Sequence, residues 1–431
     1  SETYDRESKD LLALQDDIAR QVVNSLHVLL SPDSRAALSS ATTVDPLAYD
    51  YYLRGRAYLR LPRDEANLKF AVELFRKAVA RYAGFADAYA GLCDGFLGLY
   101  SVDRDVAHFE SAESACHRAL TLDRRSASVY IALGNLYRSS GQYEQAIAEF
   151  NAALSLNRSL PDAHLGLGDT YMEKSEPETA EQHYRTAIEL QPNYWQALMS
   201  MGNFLFEIGR VGEAIPYYRR ISELMPESET AFNNMGAAYF VTGDFERASV
   251  AWQRSLDLEP SSTAYANVAS SEFFIGHYDR AISLYHKAVE LAPEDYQQWG
   301  NLGDAYRHSE FGREMAEPMY RNAIRLAENR LRINPSDAGT LALAGHYCAS
   351  IGDREQASKY IADASGLAPG NMYVHYNSAT AWAALGEKEM ALQALKRALA
   401  SGYPWHIAKA DANLKELRTL PQFEALKPRQ P

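Results

Sequence analysis

The sequence repeats itself with a period of about 34 residues, most regularly between Ala127 and Asp295. In one copy Leu133-Gly134, Tyr137, Gly141, Ala146, Phe150 and Ala153 stand at fixed offsets, and in the next come Leu167-Gly168, Tyr171, Ala180, Tyr184, Ala187 and Pro192. The frame continues through Met201-Gly202, Gly209, Ala214, Tyr218 and Pro226, then Met235-Gly236, Tyr239, Gly243, Ala248, Trp252 and Pro260. A period of this length argues against one large core. Each copy is a supersecondary unit that buries its apolar face only by stacking on its neighbours.

The spacing inside a copy predicts two helices. The Leu, Gly and Tyr of the first fall three to four residues apart and share a face, and the small Gly lets the second helix approach closely. In the second helix a small residue recurs at one place: Ala71, Ala112, Ala146, Ala180, Ala214, Ala248, Ala281, Ala316, Ala357 and Ala391. A larger side chain there would push the pair apart. Aromatic residues one turn later (Phe75, Phe150, Tyr184, Tyr218, Trp252, Tyr285 and Tyr320) are expected to fill the space between neighbouring copies. Pro192, Pro226, Pro260, Pro293, Pro335 and Pro369 end second helices because proline cannot donate the continuing hydrogen bond. Pro216 and Pro318 fall in the first turn of a second helix, where no donor is needed.

These residues resemble the tetratricopeptide repeat (TPR) family. The resemblance implies an all-α, right-handed superhelical solenoid of about ten helix-turn-helix repeats, over 48–404. The repeats fall at 48–85, 86–126, 127–160, 161–194, 195–228, 229–261, 262–295, 296–337, 338–371 and 372–404. Repeat two carries extra residues around Ser101 to His108, read as a longer loop, and repeat one a shorter insertion near Leu61 to Asp64. In repeat eight the extra residues keep the apolar face in phase and predict a lengthened second helix. Residues 405–431 read as a C-terminal capping helix and tail, and 1–47 as an N-terminal helix and linker with Leu11, Leu14, Ile18, Val22, Leu26 and Leu29 as its apolar stripe. The stretch Tyr4 to Leu26 is similar to the closing segment of the TolB-like domain that precedes TPR arrays in bacterial signalling proteins, with Tyr4, Asp5, Arg6, Asp10, Gln15, Asp16 and Ile18 matching. That resemblance implies a larger parent, a cyclase, kinase or transcription regulator, of which this is the C-terminal part; the alternative is an ordinary amphipathic capping helix.

Composition narrows the function. Lys and Arg total 43 against 56 Asp and Glu, and the net charge of -13 repels a phosphate backbone, so nucleic acid is not an expected partner. No apolar run reaches the roughly 20 residues of a membrane span, so no membrane insertion is expected. Three cysteines are too few for a disulfide framework, and the cytoplasm is the expected compartment, with the periplasm the alternative if the parent has an upstream membrane helix. Cys93 and Cys116 fall on the paired helices of repeat two and are expected to be buried small hydrophobes, a disulfide being the alternative.

No catalytic motif is present: neither HExxH, GxSxG, a Walker loop nor CxxC, and the eleven His are scattered without ligand spacing. The Gly166-Leu167-Gly168 run lies inside a predicted helix and reads as packing rather than a phosphate loop. The chain is therefore expected to be no enzyme, to need no cofactor or metal, and to bind a protein or peptide on the concave face lined by first helices. Two residues before the glycine place stand Asn234, Asn267, Asn301 and Asn377, and one residue after it Asn135, Asp169, Asn203 and Asp304. Carboxamides both donate to and accept from a peptide backbone. The first set resembles the asparagine ladder of O-GlcNAc transferases, which implies backbone recognition of an extended chain, the alternative for these Asn and Asp residues being solvated helix surface or family consensus. Phe206, Phe240 and Phe273, with Phe274, recur farther along their helices as a candidate aromatic stripe, the alternative being packing between first helices. A carboxylate clamp of the co-chaperone type is not expected, since its places hold Ile131, Leu165, Met199, Asn233 and Ala266. The reading is an interaction scaffold in the regulatory part of a bacterial signalling protein; homo-oligomerisation is the alternative.

Overall fold

The computed structural model describes residues 45–61, 64–310 and 312–427. The N-terminal helix and the TolB-like segment expected before residue 45 lie outside them. The chain divides into two compact units, Ser1–Ser200 and Met201–Pro431. Among the described residues the regular structure is helical throughout.

In the first unit the hairpins are α1 (Pro46–Leu59) with α2 (Glu65–Arg81), α3 (Ala86–Asp103) with α4 (Val106–Leu122), α5 (Ala127–Ser139) with α6 (Tyr143–Leu156), and α7 (Pro161–Glu173) with α8 (Pro177–Leu190). Helix α9 (Trp195–Glu207) contains the boundary between units. The second unit continues with α10 (Val211–Leu224), α11 (Glu229–Val241), α12 (Phe245–Leu258), α13 (Ser262–Ile275), α14 (Tyr278–Leu291), α15 (Tyr296–His308) and α16 (Ala316–Ile333). Then come α17 (Ala338–Ser350), α18 (Arg354–Leu367), α19 (Met372–Ala384) and α20 (Lys388–Ala400), followed by two short helices, α21 (Trp405–Ala410) and α22 (Pro421–Glu424).

Local chemistry sets the helix ends. Side chains of Asp45, Ser126, Ser228, Ser261, Asp337 and Asn371 accept from backbone N–H groups in the first turns that follow them. The turn between paired helices needs a left-handed residue: Gly141, Gly209, Gly243, Gly276, Gly352 and Gly386 all have positive φ, and in repeat four Ser175 takes that place with φ 61°.

The recurring alanines of the second helices are fully buried except Ala316, which is nearly so. Each of the aromatics one turn later except Tyr285, whose repeat has Ala269 at the glycine place, lies against glycine. A Cβ on Gly134 would come 2.6 Å from the Phe150 ring, and one on Gly166, in the next repeat, 2.3 Å. Phe75 is held in the same way between Gly55 and Gly91. The ring therefore packs on its own repeat as well as on the next, and Gly166 and Gly168 receive Phe150 and Tyr184 respectively.

Three local features depart from the sequence expectations. The extra length of repeat two forms no loop: α3 and α4 run 18 and 17 residues, and only Arg104 and Asp105 separate them. Arg104 supplies the left-handed turn and the Asp105 carboxylate caps the Ala107 N–H, so the remaining residues stay helical. Cys93 and Cys116, both fully buried, form a disulfide between α3 and α4 rather than two reduced thiols. The C-terminal segment is not one capping helix. Asp411 accepts from the Asn413 N–H and interrupts it, and the chain continues through 3-10 turns at Ala412–Leu414 and Leu417–Thr419. Repeat eight does have a lengthened second helix, the 18-residue α16, preceded by a 3-10 turn at Arg313–Met315.

Candidate protein-binding face

The residue after the glycine place has a defined partner in its own repeat. The hydroxyl of the second-helix tyrosine donates to it: Tyr184 to Asp169 at 3.0 Å, Tyr218 to Asn203 at 2.9 Å and Tyr320 to Asp304 at 2.6 Å. Ser270 and Tyr285 pair likewise at 2.9 Å. In repeat three the aromatic is Phe150, which has no hydroxyl, and Asn135 instead donates to Asp94 of repeat two at 2.9 Å. These side chains tie the two helices of a repeat, or neighbouring repeats, together.

Carboxamides are also joined between repeats. Asn234 donates to Asn203 at 3.3 Å, and Asn267 donates to the side-chain oxygen of Asn233 at 3.1 Å. Asn203 is exposed, and Asn234 and Asn267 are half-buried.

Five candidate residues, Asn301, Asp304, Asn377, Phe240 and Phe273, line one cavity of about 200 Å³ in the second unit. Phe206 is half-buried on α9 and lies outside it. The other wall of the cavity comes from the C-terminal segment, through Tyr403, Ile407, Asp411 and Asn413. Phe240 and Phe274, with ring centroids 5.1 Å apart, pack into the cluster that contains Trp405 and Ile407, and Phe273 shares a cluster with Ala412. Over Phe240, Phe273 and Phe274 the aromatic stripe is thus not open: the chain's own C-terminal residues cover it.

Polar contacts hold that segment. The Tyr376 hydroxyl donates to the Asp411 carboxylate, and His308 Nε2 and the Asn413 side-chain oxygen lie 2.8 Å apart. Burial pushes the Asp411 carboxyl up, and the nearby Asp304 adds to this, against the donors Tyr376 and Asn413 N–H. Burial works on Asp304 in the same direction, but the His346 ring at 3.0 Å and the Tyr320 hydroxyl hold its carboxyl below the usual carboxylate range. Burial pushes the His308 ring down. Sequence reasoning missed His308, His346, Tyr376, Asp411 and Asn413. The Asp-x-Asn spacing at 411–413, an Asx-turn signal, marked the break in the expected helix.

A family profile described as TPR repeat matches residues 134–175, and one described as tetratricopeptide repeat matches 165–229 and 268–313. The chain is a tetratricopeptide repeat protein. TPR domains are built as protein–protein interaction scaffolds. Among solved structures, the TPR chain is similar to MamA, at 23% identity over 40% of this chain and 95% of that one, with a TM-score of 0.38. It is similar to PilF of Pseudomonas aeruginosa at 22% identity, over 57% and 94% of the two chains, TM-score 0.38. A third similarity is to YrrB, described as a TPR protein with an unusual peptide-binding site, at 26% identity over 45% and 96%, TM-score 0.32. A curated relative, designated adenylate cyclase 3 in Rhizobium meliloti (strain 1021), is 41% identical over 56 residues, which is 13% of this chain and 10% of the relative. The match thus spans about a tenth of that relative's length. No helix among the described residues is long and apolar enough to cross a membrane.

Proposed function

We propose that this TPR array holds a polypeptide segment against its first-helix face, as the regulatory part of a bacterial signalling protein. The observation that carries the reading is that the chain's own residues 405–414 run across first helices, meeting Phe240 of α11, Phe274 of α13, His308 of α15 and Tyr376 of α19. A surface that seats one polypeptide segment through aromatic contacts and side-chain bonds has the means to seat another. The exposed Asn203 and half-buried Asn234 and Asn267 add donors and acceptors suited to a peptide backbone. The likeness to a stretch of the protein designated adenylate cyclase supports the signalling context.

Homo-oligomerisation finds no support at the last repeat, because Leu414, Leu417 and Phe423 cover its Leu395 and Ala398. For the compartment, the Cys93–Cys116 disulfide favours the oxidising periplasm over the cytoplasm.

Site-specific photo-crosslinking tests the binding reading. A photoreactive residue at Asn203, on the first-helix face, is expected to capture a bacterial protein that the same residue at the outward Val250, 72% exposed, does not. Equal capture at both positions, or none at Asn203, would sink it.

A further inference from the structure

The C-terminal segment does two separable things. Leu417 and Phe423, both fully buried, close the end of the array together with Trp405, whose ring centroid lies 5.2 Å from that of Phe423. Between them, residues 406–413 leave the last repeat and cross to repeats six to eight. At the far end the His406 Cβ sits so close to Gly243 that a Cβ added there would lie 2.7 Å away. Ile407 packs with Phe240 and Phe274, Ala412 with Phe273, and Asn413 meets His308.

The crossing stretch fits its bed imperfectly. It leaves the cavity of about 200 Å³ between itself and α13, α15, α17 and α19, room for several water molecules, in a fold whose other layers pack ring against glycine. His346 Nδ1 and the Tyr347 hydroxyl, on residues 3% and 1% exposed that line this cavity, have no hydrogen-bond partner among the described residues. The segment also buries the Asp411 carboxylate, 4% exposed, in a site that already holds Asp304. Each of these costs free energy that a permanent core layer ordinarily avoids. An intramolecular segment tolerates such a fit because its tether supplies a high effective concentration.

We propose that residues 406–413 are a resident ligand of this face, and that the partner is a polypeptide segment of the same chemistry, a carboxylate side chain flanked by apolar residues, which binds by displacing them. The carboxylate would take the Tyr376 hydroxyl, the apolar residues would take the Phe240, Phe273 and Phe274 surface, and a further donor or acceptor would reach His346 and Tyr347. This inference rests on the scaffold reading and restricts it: over the aromatic cluster of repeats six to eight the face is closed until the segment leaves.

The probe is a fluorescein-labelled synthetic peptide of residues 403–427, titrated into the full chain and into the full chain carrying Asp411→Arg, which places a bulky cation where the buried carboxylate sat. If the face of the wild-type chain is open about a tenth of the time, the variant should bind the peptide about tenfold more tightly, and Tyr376→Phe added to it should weaken that binding. A folded Asp411→Arg chain that binds the peptide no better than wild type would overturn the proposal. Amide hydrogen exchange on the wild-type chain gives an answer that needs no variant. Residues 406–413 are expected to exchange at least about tenfold faster than α19, and equal protection would overturn displacement. Crosslinks from Asn203 together with a vacated face that ignores the peptide would leave the scaffold reading standing and remove this one.

Discussion

At the residue scale, a position that reads in sequence as surface carboxamide is occupied by structural hydrogen bonding. Asp304 and Asn203 stand at the same place in their repeats and each takes the hydroxyl of its second-helix tyrosine, but Asp304 is half-buried beside His346 whereas Asn203 is exposed. Removing the donor should therefore cost more at the less exposed and charged Asp304. Tyr320→Phe is expected to destabilise by about 1.5–3 kcal/mol and Tyr218→Phe by about 0.5–1 kcal/mol, as read by urea unfolding. Equal losses would show that burial does not set the cost. Asp411 makes a second residue-scale prediction, through pH. Its carboxyl titrates higher folded than unfolded, so its contribution is fully present only while it is protonated and is lost as pH rises through the folded value. Asp411→Asn stays neutral throughout and is expected to melt above wild type at about pH 7, the gap closing by about pH 4. Asp304, His308, His346, Tyr376 and Tyr403 face the same site, and the gap includes the relief of the repulsion between Asp411 and Asp304. A gap that ignores pH would contradict the burial account. The alanine frame was legible because no other common side chain leaves room for two helices at contact. The partners of Asn135, Asn203 and Asp304 were not, because they depend on whether an aromatic 15 or 16 residues away carries a hydroxyl and reaches back.

At the element scale, helix pairs followed the sequence period and irregular segments did not. The insertion in repeat two has the polar look of a loop, yet Arg104 in the left-handed region and the Asp105 cap confine the turn to two residues. The same hairpin carries the Cys93–Cys116 disulfide across 23 positions. Closing a loop of that order contributes about 3 kcal/mol by restricting the unfolded chain. Reduction is expected to raise hydrogen exchange in α3 and α4 while leaving α17 to α20 unchanged, since repeats stabilise only their neighbours. Unaltered exchange in α3 and α4 would mean that packing alone holds them. The C-terminal segment was illegible for a different reason: its apolar residues are spaced for a cap, and nothing local says that Ile407 and Ala412 will pack on residues more than a hundred positions earlier.

At the scale of the whole molecule, the chain divides into its two units within α9, and tryptophan placement makes each visible. Trp195 belongs to the first unit, donating its indole N–H to the Arg60 carbonyl at 2.7 Å, while Trp252, Trp299, Trp382 and Trp405 belong to the second. In an array stabilised by nearest neighbours, unfolding need not be all-or-none. Variants retaining only Trp195 or only Trp405 are expected to report different urea midpoints, and coincident curves would show one cooperative unit. The period announced this architecture along the whole array, because stacking neighbours is the way such copies bury apolar surface. The division near Ser200 leaves no mark in a frame that passes through Leu198, Met201 and Gly202 unchanged.

The ring held between two glycines has a consequence for how such a chain can change over evolutionary time. Phe150 needs Gly134 behind it and Gly166 ahead. An insertion or deletion inside either helix would move that ring off its glycines, whereas one in the turn between them would not: Phe75 keeps both Gly55 and Gly91 across the extra residues of repeat one. Within a helix, length is therefore inherited in quanta: whole modules can be duplicated or lost in register, and changes of partial length are confined to the turns.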